Sequence, residues 1–115
     1  MTEKNNIESE ISQLQVIEQN LKNIGMQKQN MALHLMESES SIKELKDYKG
    51  KTFKVVGPVM IEADSDSLTK DLNEKVDLLK VRIKSMEKQE NTLKEQFEEI
   101  QKKLMDSMKQ SHKHE

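Results

Sequence analysis

From Leu72 to Leu104 the residues Leu72, Val76, Leu79, Ile83, Met86, Glu90, Leu93, Phe97, Ile100 and Leu104 recur in unbroken steps of four and three, and only Glu90 among them is polar. A row at that spacing lies along one side of an α-helix, narrow enough to be a coiled-coil seam rather than one face of a globular core. Such a helix needs a partner helix to cover its seam. Outside the row, Glu90 and Lys94, Glu98 and Lys102, and Glu99 and Lys103 stand four apart in the favourable order, each pair worth about 0.3 kcal/mol. The outer face is therefore solvated.

The partner is upstream. Ile7, Ile11, Leu14, Ile17, Leu21, Ile24, Met31, Leu35, Ile42 and Leu45 also step by threes and fours, with gaps near Lys28 and Ser38. This is one amphipathic helix of about forty residues, roughly 60 Å long. Two threes in succession, Ile11 to Leu14 to Ile17, widen the stripe and disturb a strict heptad. Gly25 costs its middle about 1 kcal/mol relative to alanine. With 33% hydrophobic, 3% aromatic and 35% charged residues, the chain cannot fill an ordinary core. Disorder would be the default for that polarity, but the fixed spacing and the scarcity of Gly and Pro argue for long helices.

Between the helices lies "TFKVVGPVMIEA", residues 52–63, where Gly57-Pro58 joins two β-branched apolar runs. The pair breaks any continuous helix, so the chain turns back there. Phe53 and Val55 share one strand face, and so do Val59, Ile61 and Ala63, with Lys54 and Glu62 on the other; Val56 and Met60 make that second face apolar near the turn. A two-stranded hairpin is marginal in water, and its own helices can cover one face at most. Hairpins of other chains, joined edge to edge, would satisfy the rest. Phe53, Val55, Val56, Gly57, Pro58, Val59, Met60 and Ile61 are thus expected to be an oligomerisation element. The alternative is a long connecting loop, but helix connections are usually shorter and less apolar.

The expected fold is mainly α: a long antiparallel two-helix coiled coil with a single β-hairpin between the helices that joins an oligomeric β-barrel. It forms one domain over residues 1–115, with a helix over about 5–47, a hairpin over about 51–63 and a helix over about 66–109. If the helices pair at a constant sum of residue numbers, Glu90 falls opposite Lys22 to Gly25, where Lys22 is a candidate ion-pair partner, against the alternative that no pair forms because such pairs contribute little.

Nineteen basic and twenty-one acidic residues, interspersed, give a net charge of −2 and offer no basic face to nucleic acid or to a membrane. The chain has no cysteine, its apolar runs are too short to span a bilayer, and "MTEKNNIESE" lacks the features of a signal peptide, so a cytoplasmic location is expected. Enzymatic chemistry finds no footing. His34 lies inside the first helix, His112 and His114 lie in a tail, and the three glycines form no phosphate-cradling loop. The carboxylates lie on exposed helical faces beside lysines. No metal and no cofactor are expected.

The order of helix, "TFKVVGPVMIEA", then "DSLTKDLNEKVDLLKVRIKSMEKQE" resembles the β-type subunits of prefoldin, most of all the archaeal ones. The resemblance covers essentially the whole chain and is most specific at Phe53-Lys54-Val55-Val56-Gly57-Pro58-Val59 and at Leu72, Val76, Leu79 and Ile83. A single hairpin separates the β type from the α type, which carries two. The resemblance implies a hexamer of two α-type and four β-type subunits, with the hairpins in a double β-barrel base and six coiled coils projecting from it. It further implies an ATP-independent chaperone that captures unfolded polypeptides between the coiled-coil tips and delivers them to a group II chaperonin. The acidic "EADSDS" after the hairpin and the terminal "SHKHE" depart from the family pattern.

Client binding is expected at the end away from the hairpin, where Ile7, Ile11 and Leu14 meet Leu104, Met105 and Met108. Methionine, flexible and polarizable, suits a surface that accepts many unrelated apolar segments, and several tips together supply avidity. The alternative is that Ile7, Ile11, Leu14 and Leu104 only close the seam. Lys102, Lys103 and Lys109 are the expected chaperonin contacts. A competing reading is a coiled-coil structural or scaffold protein that oligomerises through its hairpin and binds no client.

Overall fold

The computed structural model describes residues 2–113, with side chains from residue 5 to residue 110. The side chains of "SHKHE", His112 and His114 among them, lie outside the described residues. Helix α1 spans Thr2–Asp47, strand β1 Thr52–Val56, strand β2 Val59–Ala63 and helix α2 Ser65–Lys113. The segment between the helices is therefore a paired hairpin and not a loop.

Apart from Gly25 beside Ile24, the residues that are buried or half-buried in α1 are Ile7, Glu10, Leu14, Ile17, Leu21, Ile24, Lys28, Met31, Leu35, Ser38, Ile42 and Leu45. They alternate steps of three and four without interruption. The apparent disturbance of the heptad disappears, because the seam runs through Glu10 while Ile11 stays 41% exposed. The gaps disappear as well, since Lys28 and Ser38 are themselves seam residues, Ser38 at 4% exposure. Spacing decides which residue enters the seam, and polarity is tolerated where spacing requires it. The cost shows at Glu10, whose Oε2 is buried and accepts no hydrogen bond. In α2 the seam continues from Leu72 through Leu104 to Ser107.

The chain divides into two compact units. The hairpin unit comprises Gln29–Lys84 and holds Val76 and Leu79, each at 7% exposure. The terminal unit is built from α1 up to Lys28 and α2 from Ser85, and holds Ile17 at 8% exposure. Within the terminal unit the Lys28 Nζ donates to Glu90 Oε1 at 3.1 Å, and Lys94 Nζ lies 3.8 Å from the same oxygen. Glu90 therefore pairs with Lys28 and not with Lys22. Lys28 lies one helical turn beyond Ile24, and its long side chain reaches the carboxylate along the seam.

The connections on either side of the hairpin have local causes. Lys46 in the last turn of α1 suits the negative end of the helix dipole. The Tyr48 ring packs over Gly50, where a Cβ would push the exposed ring aside. On the other side Asp64 starts α2, its carbonyl accepting from Leu68 N at 3.0 Å. The β-turn places Gly57 at φ +58° ahead of Pro58, whose ring fixes a negative φ, the pattern of a two-residue II′ hairpin turn.

Candidate functional site

The turn sets the register of the hairpin: Val56 faces Val59, Val55 faces Met60, Lys54 faces Ile61, Phe53 faces Glu62 and Thr52 faces Ala63. Across a two-residue loop odd residues pair with even ones. Phe53 and Val55 therefore share a face with Met60 and Glu62, while Val56, Val59, Ile61 and Ala63 share the other with Thr52 and Lys54. The expected grouping of Val59, Ile61 and Ala63 holds, but Lys54 joins it and Glu62 does not. Sorting apolar from charged residues on each strand separately missed the parity that the loop imposes.

Each face carries one charged residue and several apolar ones, and both faces are open. Phe53 and Val56 are 49% exposed, Val59 and Ile61 52%, Val55 and Met60 68%. The helices of the same chain cover neither face. Thr52 Oγ1 donates to the Ala63 carbonyl, closing the open end of the hairpin at 2.6 Å. The sheet contains only β1 and β2, so each strand has one edge unpaired. Beside β1 an open groove of about 960 Å³ is lined by Leu45 of α1, Tyr48 just after it, Phe53 and Val55 of the strand, and Leu68 and Leu72 of α2. Lys54 Nζ lies 3.7 Å from Asp71 at its margin. The sequence reading missed this groove, although the chain's one tyrosine next to an apolar strand marked it.

The residues expected to bind client lie in the terminal unit. With seam positions written a and d of a heptad a to g, Ile7, Leu14 and Leu104 fall at a, half-buried in the seam. Ile11 falls at e, Met108 at e and Met105 at b, exposed by 41%, 56% and 57%. In an antiparallel pair the e and b positions of both helices share one flank. The flanks are independently marked in this unit: Lys94, at e, stands beside the Lys28–Glu90 pair, whereas Ile24 lines a different groove with Gln89, Leu93 and Gln96 of the g and d side. Ile11, Met105 and Met108 are thus exposed on positions that face the same flank, outside the seam that holds Ile7, Leu14 and Leu104.

The Lys28–Glu90 pair interrupts the seam with charge. The hydrogen bond from Lys28, helped by the charges of Lys28 and Lys94, holds the Glu90 carboxyl below its ordinary range, against the desolvation that opposes it. Among the described residues no group of three or more His, Cys, Asp or Glu side chains could hold a metal ion. No helix there is long and apolar enough to cross a membrane. Nothing in this arrangement constitutes a catalytic constellation.

Comparison with known proteins identifies the architecture. Residues 5–111 match the profile of the family described as "Prefoldin subunit". The chain is 33% identical over 106 residues to the prefoldin subunit beta of Methanothrix thermoacetophila, covering 90% of this chain and 88% of that protein. It is 30% identical over 100 residues to the prefoldin subunit beta of Archaeoglobus fulgidus, covering 85% of this chain and 86% of that protein. The crystal structure of the prefoldin beta subunit from Thermococcus strain KS-1 superposes with a TM-score of 0.80 at 26% identity, covering 88% of this chain and 90% of that one. Two long helices joined by one uncovered hairpin, matched over nearly their whole length, place this chain in the prefoldin family as a β-type subunit.

Proposed function

We propose that this chain works as one of four β-type subunits, with two α-type subunits, in a hexameric ATP-independent chaperone. The observation that carries this reading is the hairpin: six apolar side chains about half exposed or more, two open faces and two unpaired strand edges in one short segment. At about 25 cal/mol per Å² of apolar surface, burial of those side chains against other hairpins is a large driving force for assembly. Closure into a barrel also removes the edges. Assembly with α-type partners and further β-type copies is supported by the family and by this surface.

Client capture falls to Ile11, Met105 and Met108 on the exposed flank, with Ile7, Leu14 and Leu104 as the seam beneath them. The contacts of one subunit are weak, and several coiled-coil tips acting on one unfolded polypeptide multiply them. Release to a group II chaperonin completes the proposed cycle in the cytoplasm, with the exposed Lys102, Lys103 and Lys109 as the chaperonin contacts. Replacing Met105 and Met108 with serine tests the capture step. The hexamer should persist while suppression of aggregation of a denatured client weakens; unchanged suppression would remove these residues from the site.

A further inference from the structure

Met60 is the one methionine of the hairpin, and in the free subunit its side chain is exposed opposite Val55. A thioether so placed is open to attack by a peroxide, and its neighbours decide what the attack does. The face it shares holds Phe53 and Val55, whose side chains donate no hydrogen bond, and Glu62, whose carboxylate only accepts. A sulfoxide oxygen is an acceptor as well. Among these side chains it has no partner once water is removed, and a buried polar group without a partner is costly. The other exposed methionines are placed differently. Met26, Met36, Met105 and Met108 lie on the outer face or the flank of the helices, off the seam, where an added oxygen stays in water.

We propose that Met60 is a modification site that governs assembly: a peroxide converts its thioether to the sulfoxide in the free subunit, and the modified hairpin joins its neighbours more weakly. With hydrogen peroxide, a sulfur lone pair forms the S–O bond as the O–O bond breaks. Sulfur gives up two electrons, and the displaced hydroxide takes the proton left on the transferred oxygen and departs as water. Once the hairpins have joined, the same sulfur is covered. Assembly therefore protects the site whose oxidation prevents it, and reduction of the sulfoxide returns the subunit to the pool that can assemble. The inference rests on the hairpin-assembly reading above and adds the chemistry that decides which subunits can join.

The test exposes the full chain to hydrogen peroxide before or after mixing with an α-type subunit, reads sulfoxide at each methionine by peptide mass and follows assembly by light scattering. Oxidised first, the chain should assemble roughly tenfold more weakly with unchanged helicity by circular dichroism, and methionine sulfoxide reductase should restore it. Mixed first, it should keep Met60 unmodified. In a partly oxidised sample the unassembled fraction should be enriched in sulfoxide at Met60. Met60→Leu should assemble equally before and after treatment, while Met26→Leu with Met36→Leu should remain sensitive. Parental assembly of a chain oxidised at Met60, enrichment only at another methionine, or equal sensitivity of Met60→Leu overturns this inference and leaves hairpin assembly standing. Failure of the untreated chain to assemble with the α-type subunit overturns hairpin assembly itself.

Discussion

Val76 and Val55 are the same residue in two environments of one unit: Val76 in the seam is 7% exposed, Val55 in the hairpin 68%. The seam satisfies its apolar residues within the chain, because two helices at matching register are enough to cover a narrow stripe. The hairpin cannot do so, because two strands have two faces and the adjoining helices cover neither. Similar hydrophobicity therefore has different consequences: in the seam it sets the fold of the subunit, and in the hairpin it stays exposed, the surface on which the proposed assembly rests.

That contrast is open to direct attack. The largest effect is expected from Val55→Lys with Met60→Glu, cross-strand partners on one face. The opposite charges suit each other across the hairpin, so the subunit stays folded. Any assembly that buries this face should weaken by about 100-fold or more, since buried charges are costly. Sedimentation of the variant with its partners, beside its circular dichroism, checks both halves; assembly at parental strength would show that the face is not an interface.

Leu79→Ala acts on the opposite term. Leu79 is 7% exposed, and truncation there should destabilise the helix pair by about 2–4 kcal/mol, read as a lowered midpoint in urea. Hairpin exposure contributes nothing to that value, so a change below about 0.5 kcal/mol would mean that the seam is not what holds the subunit together.

How far these regions could be read from sequence follows from the same contrast. The α2 seam was legible because every position but Glu90 from Leu72 to Leu104 is apolar, so composition and spacing agree. In α1 they disagree. Ile11 is apolar but off the seam, while Glu10, Lys28 and Ser38 are polar but on it. A reader following hydrophobicity picks Ile11, and only the fixed three-four alternation identifies Glu10. The partner of Glu90 was illegible for the same reason, since Lys28 stands where the hydrophobic pattern shows only a gap. Hairpin existence was plain from Gly57-Pro58 between β-branched runs, whereas which residues share a face required the loop length. The placement of Met105 and Met108 outside the seam was readable, being one residue past Leu104 and Ser107.

Smaller changes sharpen the account of α1. Gly25 is helical and a Cβ added there meets nothing within 4 Å, so Gly25→Ala should stabilise by about 0.5–1 kcal/mol in the same urea titration. Destabilisation would mean that the helix needs a flexible point there. The smallest effect is electrostatic. The Glu90 carboxyl titrates below its ordinary 4.5 in the folded chain, so its contribution is present above that value and lost as pH falls through the lowered one. Glu90→Gln should flatten the acid side of the stability profile below that ordinary value, and an unaltered slope would show that Lys28 does not hold the carboxylate.

The central claim is that the hairpin is uncovered in the subunit because other hairpins cover it. Light-scattering mass of this chain alone and mixed with an α-type subunit measures it most directly. A mixture that shifts to a hexamer, and does not shift when Val55→Lys and Met60→Glu are present, is the predicted result. If the chain alone already forms its final closed assembly and the mixture stays unchanged, the chain is a self-sufficient coiled-coil scaffold and the account of the hairpin is wrong.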